Sequence, residues 1–204
     1  HHEDADDNAY GPQVMMLAPP CGDFFIRANI WPSLGEHMVR ASGGDSFVLG
    51  LPHDHNFNFL TLGYFGPGYW SDYYEYDYDA VTGFRGESVP SLRFIERSRL
   101  EPGKIMLYRA HLDVHAQGAA DSLSVSLNIM HTSGAQGWLD QYRFDVERRE
   151  VGGIMHCFSS DVAIARRCLD LGLLISLAGP VTYPNARALP DVARFVPADR
   201  LVVE

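Results

Sequence analysis

The chain has 204 residues, is 46% hydrophobic and carries a formal charge of −10 at neutral pH. That is enough apolar material for a sizeable core, and too acidic a balance for a protein that coats nucleic acid through clustered Lys and Arg. Three cysteines, Cys21, Cys157 and Cys168, show no paired spacing for a zinc knuckle or disulfide framework, and no apolar run approaches the ~20 residues of a membrane span, so a cytoplasmic protein with no membrane partner is expected. The opening H-H-E-D-A-D-D-N reads as an acidic solvated tail or tag remnant over residues 1–10.

From residue 11 to 146, aromatic and β-branched residues broken by Gly, Pro, Asn and Asp predict an all-β domain. Strands are expected at Phe24–Ile30, Ser46–Leu49, Phe57–Tyr64, Ser71–Tyr78, Leu92–Leu100, Lys104–Arg109, Leu123–Met130 and Gln141–Val146. Such a series of short strands predicts a closed sandwich or jelly roll, which leaves few sheet edges. The tract Y-W-S-D-Y-Y-E-Y-D-Y, Tyr69 to Tyr78, alternates aromatic and acidic residues. It describes a strand with one packed face better than a base-stacking platform, because its acids repel phosphate.

At E-R-R-E-V, Glu147 to Val151, a charged join precedes a different pattern, and residues 147–204 alternate strand and helix. Gly153–Phe158 reads as a strand. Ser160 is placed to cap a helix running to Leu171, with Gly172 in the stop position. Leu173–Ala178 reads as a buried strand, Asn185 caps a second helix to about Phe195, and Arg200–Val203 begins a third strand. This β-α-β-α-β order predicts parallel strands covered by helices.

The chemistry-bearing residues begin in L-P-H-D-H-N-F-N-F-L, Leu51 to Leu60. Side chains alternate along a strand, so His53 and His55 share one face while Asp54 takes the other. A third imidazole must come from elsewhere. His115 follows a turn, a strand and a short loop in E-P-G-K-I-M-L-Y-R-A-H-L-D-V-H, with His111 as the competitor. Three neutral imidazoles suit Fe(II), Zn, Cu, Ni or Mn with coordination positions left open. The plain alternative is a set of hydrogen-bonding strand histidines.

These residues resemble the cupin superfamily, whose first motif carries H-x-H and whose second carries P-G followed by a histidine. The similarity is to the three-histidine members of the cysteine dioxygenase type and covers about residues 24–130. It implies a double-stranded β-helix holding Fe(II) and a small-molecule substrate. Arg27 in F-F-I-R-A-N-I stands where those enzymes hold a substrate carboxylate, a task suited to a bidentate guanidinium; a solvated or strand-edge arginine is the alternative. The usual glutamate after H-x-H is missing, as is the tyrosine that follows V-S-L-x-L in the thiol dioxygenases.

The last quarter, with G-G-I-M-H-C-F-S-S, then C-L-D-L-G-L-L-I-S-L-A-G-P-V-T-Y-P-N-A, then V-P-A-D-R-L-V-V-E, resembles the TatD family of metal-dependent hydrolases over residues 151–204. That likeness implies part of a TIM barrel, with His156 as a metal ligand at a strand end. The family's other ligands have no counterpart in this stretch. Three readings follow: a metal-binding cupin-like oxidoreductase, a TatD-like deoxyribonuclease represented by an incomplete segment, or a non-catalytic small-ligand binder. A homo-oligomer, or another chain completing the C-terminal sheet, would supply the missing edges.

Overall fold

Strand β1 (Val14–Cys21) and strand β2 (Phe24–Trp31) form a hairpin, and β2 continues into a five-stranded antiparallel sheet. Its other members are β8 (Ser124–His131), β3 (Phe59–Phe65) and β6 (Ile105–Tyr108), in the order β1-β2-β8-β3-β6. A second antiparallel sheet has the order β5-β4-β7, from β5 (Arg93–Arg99), β4 (Tyr69–Glu75) and β7 (Asp113–Ala120). The computed structural model describes residues 13–37, 39, 49–133, 141–155, 158–177, 181, 186 and 188–203. The acidic opening, most of the strand expected at Ser46–Leu49, and Asn185 lie outside the described residues.

Alternation decides which side of each strand enters the core. Along β8 the polar and apolar residues Ser124, Ser126, Asn128 and Met130 are buried, while Val125, Leu127 and Ile129 face outward. Trp31, Tyr69, Leu100 and Ala120 form one apolar cluster between the two sheets, and Phe59, Tyr73, Tyr108 and Met130 form another. The two sheets therefore pack face to face through their inner rows. The outer face of the larger sheet carries two unbroken cross-strand rows. One runs Ala18, Ile26, Ile129, Leu60, Leu107, and the next runs Met15, Ala28, Leu127, Leu62, Ile105.

The expected jelly roll or double-stranded β-helix is not what forms. Among the described residues no sheet closes into a barrel, and the strands fall into four separate sheets. The edges explain why. β1 contains Pro19 and Pro20, which have no N–H to donate to a further strand. β5 carries Arg93, Glu96, Arg97 and Arg99, a charged edge that discourages pairing. Among the described residues the β7 edge is joined by isolated bridges, Ser33 with Ala120 and His53 with His115, and by the Gly50 N–H to Gln117 carbonyl bond.

The charged join is a tight hairpin, β9 (Phe144–Asp145) with β10 (Glu150–Val151). Asp145 accepts hydrogen bonds from the backbone N–H groups of Glu147 and Arg148, at 3.1 and 3.0 Å, and Arg149 adopts a left-handed φ of 55°. Phe144 and Val151 are buried with Tyr76, Val89 and Val114, so the hairpin is stitched into the antiparallel half. Beyond it, β11 (Ile154–Met155), β12 (Leu174–Leu177) and β13 (Leu201–Val203) form the expected parallel sheet.

Helix α1 (Val162–Asp170) starts one residue later than Ser160 would set it, because Asp161 is the cap and accepts from the Ile164 N–H at 3.0 Å. It stops at Gly172, whose φ of 77° admits the paired bonds Gly172 N–H to Leu169 and Leu173 N–H to Cys168. Helix α2 (Leu189–Phe195) begins with Pro190 in its first turn, where a missing N–H costs nothing. Ala165, Cys168, Leu189 and Val192 cover Ile175 and Leu177 of β12.

Candidate metal centre

His53 and His55 sit in an irregular segment rather than a named strand, but it pairs locally with β7. The His53 N–H donates to the His115 carbonyl at 3.1 Å, and the His115 N–H returns to His53 at 3.0 Å. This bridge gives the segment enough extended character for the alternation rule to hold. Asp54 points one way, and the rings of His53 and His55 come together on the other with centroids 4.9 Å apart. His115 lies within β7 itself, not at the end of a loop as the turn signals suggested. Its ring is 4.6 Å from that of His53 and 5.0 Å from that of His55.

The three side chains thus form a near-equilateral group whose ligand nitrogens all lie within 4.8 Å of one another. His55 Nε2 and His115 Nε2 are 2.9 Å apart. His53 Nδ1 lies 2.8 Å from the Leu51 carbonyl, an arrangement in which Nδ1–H donates and Nε2 keeps its lone pair for a cation. Burial disfavours the imidazolium, and the neighbouring charges of His53 and Arg27 add to it, so His55 titrates well below the usual histidine range. His115, 1% exposed, is lowered in the same way by burial and then by His53 and His55. Neutral imidazole is the ligand form. The donor set therefore fits a divalent metal, which at about 2.1 Å from each nitrogen needs them about 3.0 to 3.5 Å apart, close to the 2.9 Å of the His55–His115 pair.

Asp54 anchors this segment from behind and was not singled out by the sequence. It is completely buried; its Oδ2 accepts from the Tyr76 hydroxyl and its Oδ1 from the Tyr142 N–H, both at 2.5 Å. Burial raises its pKa to about 6 despite those two bonds. Only its alternation with the two histidines could have marked it.

Arg27 is on the second strand of its sheet, not on an edge, and shares the inner face of β2 with Phe25 and Trp31. Its charge is felt at His55. His111 is not part of the group. It adopts φ 58°, and its ring packs tilted against Tyr78 with centroids 4.1 Å apart, with no hydrogen-bond partner for either ring nitrogen among the described residues. His156 lies outside the described residues.

Around the histidines the inner face is aromatic and hydroxyl-rich. Tyr108 stacks on Phe59 at 4.4 Å, nearly parallel, and its ring is 4.5 Å from that of His115. Its hydroxyl meets that of Tyr73 at 2.7 Å. Burial pushes both phenols above the usual range, so both stay protonated. Thr61, Ser126, Asn128 and Trp31 form a second chain of hydrogen bonds between 2.7 and 3.3 Å. The sequence marked Tyr69 to Tyr78 as a packed strand face. Tyr69, Ser71 and Tyr73 are indeed buried at alternate positions.

The molecule thus carries a partly buried three-histidine cluster able to coordinate a divalent metal. Comparison with known proteins adds a second component. Residues 114–204 match the TatD related DNase family model, which reaches back into β7 and so overlaps the antiparallel half. The chain is 43% identical over 76 residues to the uncharacterized metal-dependent hydrolase YcfH of Escherichia coli K12, covering 37% of this chain and 29% of that protein. It is 49% identical over 51 residues to the uncharacterized metal-dependent hydrolase TatD of Mycobacterium tuberculosis, covering 25% and 19%. The C-terminal segment is homologous to TatD-family hydrolases, and the chain spans less than a third of the length of these relatives.

Similar solved structures include KdgF from Halomonas sp., at 15% identity and TM-score 0.37, covering 63% of this chain and 91% of that one. A hydroquinone 1,2-dioxygenase from Sphingomonas sp. TTNP3 with 4-hydroxybenzoate bound is similar at 11% identity and TM-score 0.35, covering 64% and 72%. A cupin domain from Bordetella pertussis is similar at 10% identity and TM-score 0.33, covering 60% and 96%. Among the described residues no helix is long and apolar enough to cross a membrane.

Proposed function

We propose that His53, His55 and His115 hold one divalent metal, Fe(II) in preference to Zn, Ni, Cu or Mn, and that the chain is a non-haem iron oxidoreductase acting on a small molecule. The observation that carries this is the convergence of three ring nitrogens, two of them on imidazoles held neutral by burial. Fe(II), when bound, supplies the open coordination positions and the electrons for dioxygen chemistry. Arg27 orients the substrate by a bidentate grip on a carboxylate, from the inner face of β2. The paired hydroxyls of Tyr73 and Tyr108, protonated at neutral pH, donate a hydrogen bond to a substrate oxygen beside His115. Residues 11–146 form the unit that does this, and residues 147–204 a second unit packed against it.

The test is oxygen consumption by the Fe(II)-loaded protein with small carboxylic acids and thiols. Turnover is expected with at least one carboxylate substrate, lost on chelation and weakened in KM by Arg27→Met. Oxygen uptake indistinguishable from free Fe(II) would refute the oxidoreductase reading.

The sequence identity of the last quarter favours a second reading, a TatD-like hydrolase in which His156 is one metal ligand and the remaining ligands lie outside the matched stretch. Cleavage of a phosphodiester with added Mg or Mn, abolished by His156→Ala and untouched by His53→Ala, would support it.

A further inference from the structure

We propose that the outer face of the five-stranded sheet is a contact surface between two copies of this chain. Its two cross-strand rows contain apolar side chains alone, while Thr61, Ser124, Ser126 and Asn128 of the same strands take inner positions. Met15 is 53% exposed, Ile105 60%, Leu107 61% and Ile129 40%. A single exposed leucine is ordinary, but neighbouring ones in register across every strand of a sheet are not. Five strands at about 4.8 Å spacing make a face roughly 20 Å wide. The accessible apolar surface it offers is on the order of 700 Å², above the largest patch of most monomers and close to the roughly 800 Å² per partner of a standard interface.

The occupant follows from the chemistry. A face without charge has no electrostatic means of selecting an unlike partner, but it is complementary to itself across a two-fold axis, where each row meets the same row of the other copy. The acidic residues Glu3, Asp4, Asp6 and Asp7 would lose hydration if the opening segment lay there. Pro19 and Pro20 in β1 oppose extension of the sheet at that edge. The contact is therefore face to face, with the two sheets about 10 Å apart. No histidine of the metal cluster takes part, so the contact does not depend on the metal.

Sedimentation equilibrium of the full chain from about 1 to 100 μM tests this, with and without chelator. A species of twice the 22.8 kDa chain mass is expected in both conditions. Leu107→Lys should raise the dimer Kd at least a hundredfold, and the milder Leu107→Thr, which keeps strand propensity, at least tenfold. Leu171→Lys, at a site 64% exposed but outside the sheet, should leave the Kd unchanged. A wild-type chain that stays monomeric at 100 μM would overturn the proposal. So would either Leu107 variant dimerising as tightly as the wild type.

Discussion

Replacing Asp54 by alanine tests whether the segment bearing two of the three imidazoles is held in place from behind. The carboxylate is inaccessible to solvent and accepts from the Tyr76 hydroxyl and the Tyr142 N–H at 2.5 Å each. Truncation strands both donors inside the protein, at about 1–3 kcal/mol apiece. Relief of the cost of burying a charge, visible in the raised pKa of about 6, returns part of this. We expect Asp54→Ala to lose about 3 kcal/mol in urea unfolding, and Asp54→Asn, which keeps the shape and an acceptor oxygen, about 1 kcal/mol. Because Asp54 lies between two ligands, Co(II) affinity followed by its visible absorption should fall about tenfold in the alanine variant and recover in the asparagine variant. Stability and Co(II) affinity both unchanged in Asp54→Ala would show that the carboxylate does not hold the histidine segment in place.

Further outcomes follow from other parts of the molecule. In metal-free protein the lowered pKa values of His55 and His115 make the unfolded chain bind more protons, so stability should fall as pH drops below about 6.5, by up to about 1.4 kcal/mol per pH unit for each ring. Asp54 takes up its proton in the folded state below about 6 and opposes that slope, leaving a net loss of one to two protons' worth; a flat profile in urea titrations from pH 7 to 5 would contradict this. Gly68→Ala places a Cβ 2.0 Å from the Leu100 carbonyl oxygen at φ 78°, and should cost at least about 3 kcal/mol, read as a fall in melting temperature. Asp161→Ala removes the cap of α1 and should cost about 1 kcal/mol, with Asp161→Ser restoring most of it.

Much of the secondary structure was legible because period-two burial is written directly in β3, β4 and β8. β1 is absent from the strands expected from sequence because V-M-M-L-A-P-P-C has no apolar–polar alternation, and an edge strand tolerates its Pro19 and Pro20. β7 was missed because D-V-H-A-Q-G-A-A mixes small and polar residues, and its strand state is imposed by the ladder to β4 rather than by propensity. Closure into a barrel was the largest error. Strand count and alternation specify how each sheet faces the core, but edge pairing depends on long-range register that no local pattern carries. His53, His55 and His115 could be proposed as a group from spacing and resemblance. Tyr108 and Asp54 could not, since their place beside and behind the imidazoles arises only when β6 and the segment before β3 are brought against β7.

Whether the three imidazoles hold a metal is decided by metal content and affinity of the purified full chain beside His53→Ala, His55→Ala and His115→Ala. About one equivalent of a first-row divalent metal per chain is expected. Each alanine variant should bind it at least a hundredfold more weakly, with folding by circular dichroism intact, while His111→Ala binds as the wild type does. A chain that takes up no such metal, or keeps its affinity after losing any of the three imidazoles, would rule out a three-histidine metal centre.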